Sequence, residues 1–188
     1  MAANTVELNP MRKIILAIMM MNAGWASAQE IYDFSADSDM GDWYIVDDVV
    51  MGGRSDGQMK LSDEGNAIFE GRVSLENNGG FSSVRYRPDK ISSERYAAFM
   101  VRLKGDTRNY QFRVRSRLNE YQSYVYEFET NGDWQIIRIP FNEMYPSFRG
   151  MRLKLPNYPG KQLQECSFLI SNKKNENFRL EIDKIWME

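Results

Sequence analysis

The chain has 188 residues, 24 Lys and Arg against 26 Asp and Glu, a net charge of −2, 43% hydrophobic residues, one cysteine and no histidine. So even a balance of charge gives no footing for nucleic acid or an anionic membrane as partner. The missing histidine removes Ser-His-Asp and Cys-His nucleophiles, imidazole acid–base work and His-ligated metals, and a single cysteine rules out an internal disulfide.

From the start of the chain, Met11-Arg12-Lys13 supplies a short basic region, Ile14 to Met21 an apolar run and Ala26-Ser27-Ala28 a small-residue cleavage site. Together they predict a secretory signal peptide behind an upstream extension, over residues 1–28. The run is too short for the roughly 20 residues that span a bilayer. No transmembrane segment is expected in residues 29–188, which have the size of one domain. The expected location is exported, periplasmic or secreted; retention of the N-terminal segment would make it cytoplasmic instead.

Next come two acidic stretches. Asp37, Asp39 and Asp42 in "DSDMGD" offer oxygens to calcium, but without the EF-hand spacing or its closing glutamate. In "VDDVVMGGRSDG", Asp47 and Asp48 precede Gly52-Gly53 and the turn residues Arg54, Ser55, Asp56 and Gly57. A phosphate loop would need a lysine and a hydroxyl after the glycines and a helix beyond them. Adjacent carboxylates on an extended backbone point to opposite faces, so they do not converge on one bond. The expectation is a shaped, partly buried corner built on Asp47, Asp48, Met51, Gly52, Gly53 and Ser55, with no catalytic residue, resident metal or cofactor.

Strand-like alternation follows over residues 67–75, 80–87, 96–105, 110–117, 122–130, 134–140, 166–171 and 178–187. Turn clusters such as "ENNGG", "GDTRN" and "TNGD" separate them, and a short helical turn is predicted near 141–145. Eight or more short strands without a long helical pattern mean an all-β sandwich or jelly roll. In "YQFRVRSR", Arg113, Arg115 and Arg117 share one face. A four-residue hairpin at 118–121 would put Arg115 opposite Tyr124 and Arg113 opposite Tyr126, with Arg102 and Lys104 on the same sheet face. Such a face suits sugar stacking or an acidic partner. Trp43, Trp134 and Trp186 are expected at the core or its edge, and Cys166, among apolar neighbours, in the core.

The run from Trp43 through Asp47-Asp48-Val49-Val50-Met51-Gly52-Gly53-Arg54-Ser55-Asp56-Gly57, with "FEGRVSLENNGGFSSVR", "LKGD", "WQIIRIPF", "FRG" and "FRLEIDKI", resembles the complex I intermediate-associated protein 30 family. The resemblance covers nearly all of residues 29–188. It implies a galactose-binding-domain-like jelly-roll β-sandwich and a non-catalytic assembly or chaperone role toward a protein partner. An export signal departs from that role, because an exported protein would not meet the peripheral arm of complex I. The alternative is an exported carbohydrate-binding module that takes a glycan on the Arg/Tyr face.

Overall fold

The computed structural model describes residues 28–188. The predicted extension and nearly all of the signal peptide lie outside the described residues. Fifteen strands run in order: β1 (Gln29–Asp33), β2 (Trp43–Asp47), β3 (Asp56–Leu61), β4 (Ala67–Val73), β5 (Ser82–Tyr86), β6 (Ile91–Ser92), β7 (Ala98–Lys104), β8 (Asn109–Arg115), β9 (Ser123–Glu129), β10 (Trp134–Pro140), β11 (Tyr145–Phe148), β12 (Met151–Arg152), β13 (Gln162–Leu163), β14 (Glu165–Ile170) and β15 (Glu176–Met187). Helical structure among the described residues is limited to four 3-10 turns, one of them at Phe141–Glu143, where a helical turn is predicted.

Two antiparallel sheets pack face to face. One has the order β10-β7-β15-β4-β3, with β1 also paired to the long β15; the other runs β12-β11-β9-β8-β14-β5-β2. The alternation that predicts the strands also fills the space between them. Phe112 and Phe168 of the seven-stranded sheet lie 5.3 Å apart, and Phe112 reaches Phe99 of the opposite sheet at 5.5 Å, tilted as aromatic pairs prefer. Trp43 is buried at one end among Tyr32, Phe34 and Tyr86, while Trp134 is partly exposed with the Arg102 guanidinium over its ring.

The hairpin of β8 and β9 corrects one expectation. Phe112 pairs with Tyr126, Arg113 with Val125 and Val114 with Tyr124. The connection therefore has an odd number of residues, 116–122, rather than four. One residue of slip moves every side chain to the other face. Tyr124 and Tyr126 accordingly turn inward against the core, Tyr124 lying 5.3 Å from Tyr158. Arg102 and Lys104 belong to β7 in the other sheet, so they do not join the arginines of β8.

Cys166 stands on the inner face of β14 with no exposed surface, and burial pushes its thiol well above the usual range. Iodoacetamide at pH 8 is therefore expected to leave the native protein unlabelled and to alkylate it only in denaturant. Labelling of the folded protein at the rate of a free thiol would show that this strand opens.

Candidate functional site

Two places gather polar groups: the acidic corner after β2 and the outer face of the seven-stranded sheet. At the corner, Asp47 ends β2 and Asp48 begins a 3-10 turn, Asp48–Met51, which Gly52 closes in the left-handed region at φ 90°. That conformation favours glycine. Asp48 is fully buried. Its Oδ1 accepts from the Ser55 N–H at 2.9 Å, and its Oδ2 accepts from Ser55 Oγ at 2.5 Å, Gly80 N at 2.6 Å and Phe81 N at 3.2 Å. Ser55 Oγ in turn accepts from Ser74 N at 3.0 Å. A Cβ on Gly53 would overlap the Asp48 carboxylate, which is why the second glycine of the pair is needed.

The two aspartates live in opposite environments. Burial alone would raise the Asp48 carboxyl, but the bonds from Ser55, Gly80 and Phe81 overcome it and hold the group below its ordinary value. Asp47, half-buried, is raised chiefly by burial; Oδ2 accepts from Gly57 N at 2.9 Å, while Oδ1 and the neighbouring Ser82 Oγ are buried without a hydrogen-bond partner. All the capacity of Asp48 is spent on the chain itself, and no substrate can approach it. This corner is a tie between loops, without the geometry of an acid–base pair. Met51 ends the 3-10 turn.

The calcium candidates are also engaged locally. Asp39 Oδ1 caps Gly41 N at 2.8 Å, and Asp42 Oδ2 accepts from the Tyr32 hydroxyl at 3.2 Å. Asp37 lies between β1 and β2. No group of three acidic, His or Cys side chains is arranged to hold a metal among the described residues.

The outer face is chemically richer. Pairing registers place Tyr145, Val125, Arg113, Ser167, Arg85 and Tyr44 in one row across β11, β9, β8, β14, β5 and β2. The adjacent row carries Arg115 directly opposite Glu165. Val125, Leu169, Ser83, Ser147 and Ser167 are buried although they point away from the core, beneath the long side chains standing beside them. Glu165 is 3% exposed and is the internal counter-ion of this face. Its Oε2 accepts from Arg87 Nε at 2.8 Å and from the Tyr44 hydroxyl at 3.0 Å; its Oε1 lies 3.6 Å from Arg115 Nε and 3.8 Å from Arg85 Nη1, both beyond hydrogen-bond reach.

Arg113 forms no ion pair among the described residues. Its Nε donates to Gln111 Oε1 at 3.0 Å, and burial lowers its pKa to about 10. The structure thus brings Arg113 and Arg115 together, as expected, but with Arg85, Arg87 and Glu165 rather than with Tyr124 and Tyr126. Arg117 falls beyond β8 in the exposed connection. The tyrosines on this face are Tyr44 and Tyr145, each with a guanidinium over its ring: Arg87 at 4.9 Å and Arg152 at 4.7 Å. The available signal is Glu165 itself, the one charge in the strand "ECSFLI".

Known proteins agree with this architecture. The chain is 24% identical to complex I intermediate-associated protein 30, mitochondrial, of Drosophila melanogaster over 84% of its own length and 62% of the relative's. It is 25% identical to the Mus musculus protein of the same name over 84% of this chain and 55% of that one. The chain therefore spans somewhat more than half the length of these relatives. Among solved structures it is similar to a family 11 carbohydrate-binding module of a cellulosomal cellulase of Clostridium thermocellum, with TM-score 0.63, 12% identity and coverage of 86% of this chain and 94% of that one. A family 11 module from Clostridium thermocellum in complex with a β-1,3-1,4-mixed-linked tetrasaccharide gives TM-score 0.59 at 13% identity, covering 85% and 94%. At such identities the likeness establishes the fold, a galactose-binding-like jelly roll. The family model for complex I intermediate-associated protein 30 matches residues 32–182, from β1 into β15 and across the aspartate corner, and by that match the chain belongs to the complex I intermediate-associated protein 30 family.

Proposed function

We propose that this chain is a non-catalytic binding domain that holds an acidic protein partner against the arginine-bearing face of its seven-stranded sheet, as an assembly factor holds an intermediate. One observation carries this reading. In a chain of net charge −2, that face collects Arg85, Arg87, Arg113, Arg115 and Arg152 against Glu127, Glu129 and Glu165. A local excess of guanidinium on an acidic protein favours encounter with a negatively charged surface. Absence of catalysis is consistent with a chain that has no histidine and with a cysteine and a signature aspartate that are fully buried. The names of the relatives tie those proteins to an intermediate of complex I. What we carry over here is the act of holding a partner, and the N-terminal sequence pattern supports a location outside the cytoplasm for it.

A neutral glycan fits this face less well, because sugars stack on bare aromatic planes and those of Tyr44 and Tyr145 are covered by Arg87 and Arg152. The two readings separate in one binding experiment with poly-glutamate and mixed-linkage β-glucan as probes. Poly-glutamate is expected to bind at low salt, to weaken steeply as salt rises, and to lose about tenfold in affinity in the Arg85→Met, Arg113→Met double variant. Retention of the glucan with indifference to poly-glutamate would move the protein to the carbohydrate-binding class.

A further inference from the structure

The geometry points to a seat for a single oxyanion group, a carboxylate, phosphate or sulfate carried by the partner, between the forks of Arg85, Arg113 and Arg115 over the floor of Ser167. This rests on the arginine face being the binding surface, and it says which chemistry that surface recognises and where.

Register builds the seat. Ser167 of β14 pairs with Arg85 on one side and with Arg113 on the other. The two arginines therefore rise from strands about 5 Å to either side of a small residue, and Ser167 lies buried beneath the space between them. Arg115 stands two residues beyond Arg113 on the same face of β8, so it borders that space along the strand.

Each flanking arginine is held by its own strand. Arg113 Nε donates to Gln111 Oε1 at 3.0 Å, and Arg85 Nε donates to Ser83 Oγ at 3.3 Å, each partner two residues earlier on the same face. Pinning Nε fixes the plane of the guanidinium and leaves the terminal nitrogens to meet a ligand, an arrangement suited to bidentate recognition of oxyanions. Ordering that a free arginine would undergo on binding has here been done in advance.

Their charge is also underused. The one internal carboxylate, Glu165, gives Oε2 to Arg87 and Tyr44, and its Oε1 stays 3.6 Å from Arg115 and 3.8 Å from Arg85. Arg115 Nε is consequently buried with no hydrogen-bond partner, and Arg113 has no carboxylate at all among the described residues. Buried donors without acceptors are rare because each forfeits the hydrogen bond it would make with water. Burial also weakens the charged form of Arg113, with Arg85 and Arg115 adding repulsion. An oxyanion between the three forks would give Arg115 the acceptor it lacks and cancel that repulsion.

Glutarate, phosphate and sulfate are to be titrated separately into the full chain at constant ionic strength, following the thermal midpoint and the arginine Nε–Hε resonances by NMR. Saturable binding is expected, with the Arg85, Arg113 and Arg115 resonances moving together. Affinity should fall about tenfold in Arg113→Met and also in Arg113→Lys, which keeps the charge but loses the fork, while Arg138→Met on the other sheet should leave it unchanged. A stronger response to glutarate identifies an acidic side chain as the natural group; a stronger response to phosphate or sulfate identifies a modified partner. A rise in midpoint that is linear in every anion and equal in wild type and Arg113→Lys reflects general exclusion of salt from the surface and overturns the seat. Should poly-glutamate still bind in that case, the surface stands without the seat; should neither bind, both fail.

Discussion

Replacing Asp48 with alanine is expected to destabilise the protein by about 3–5 kcal/mol, the largest effect of any polar substitution in it. The carboxylate accepts the N–H groups of Ser55, Gly80 and Phe81 and the Ser55 hydroxyl, and so ties its own turn to Ser55, seven residues on, and to Gly80 and Phe81, more than thirty residues on. A hydrogen bond to a charged group contributes about 1.5–3 kcal/mol, and the donors left behind are buried, so water compensates for only part of the loss. In urea the midpoint should fall by about 2 M for a protein of this size. Asn at this position keeps the volume but aims an NH2 group at donors, and it should cost somewhat less than Ala. A loss under about 1 kcal/mol for Asp48→Ala would mean that the loops are held by something other than this carboxylate.

The same group predicts a pH dependence of definite sign. Because the folded state holds the Asp48 carboxyl below its ordinary value near 4, its stabilisation is complete above that value and is lost as pH falls through the folded one. Asp47 works in the opposite sense: its folded value is raised, so its contribution is present at low pH and fades as pH rises through that value. Asp48→Asn should therefore flatten the acid limb of the stability profile, and Asp47→Asn should steepen it. Two adjacent acids with opposite slopes are the signature of one carboxylate satisfied by backbone donors and one left short of them.

How much of this is legible in the sequence depends on the range of the interaction that decides it. Strand β10 coincides with the predicted 134–140, because "WQIIRIP" alternates and ends on a proline. Several strands that escaped detection lack that contrast. In β3, "DGQMKL", the inward face is only Gly57, Met59 and Leu61, none of them fully buried and the first a turn residue, and β12 and β13 are two residues each. The corner at Asp48 is legible as a corner because glycines and aspartates prefer turns. Its binding to Gly80 and Phe81, more than thirty residues away, is set by the packing of two sheets and leaves no local trace. Likewise, alternation shows that Arg113 and Arg115 share a face, but the odd connection at 116–122 decides what stands beside them, and charge patterning carries no information on register.

Glu165 is where fold and proposed function meet, and Glu165→Gln is the second substitution with a large expected effect. The carboxylate is 3% exposed, bonded to Arg87 and Tyr44 and close to Arg85 and Arg115. Removing one member of a buried charged set typically costs about 3–5 kcal/mol; here the arginines keep some access to water, so about 2–3 kcal/mol is expected. Tyr44 offers a second, local readout. Burial first and Glu165 next push its hydroxyl up to about 12, so the variant should bring it back toward 10 in an ultraviolet titration. Removing the internal anion should also leave the guanidiniums more dependent on an external one. Added sulfate is therefore expected to restore more stability to Glu165→Gln than to wild type, and to bind the variant about tenfold more tightly. A neutral or stabilising Glu165→Gln, with Tyr44 still titrating near 12, would show that the arginines are content in water and that this face has no call for an anion.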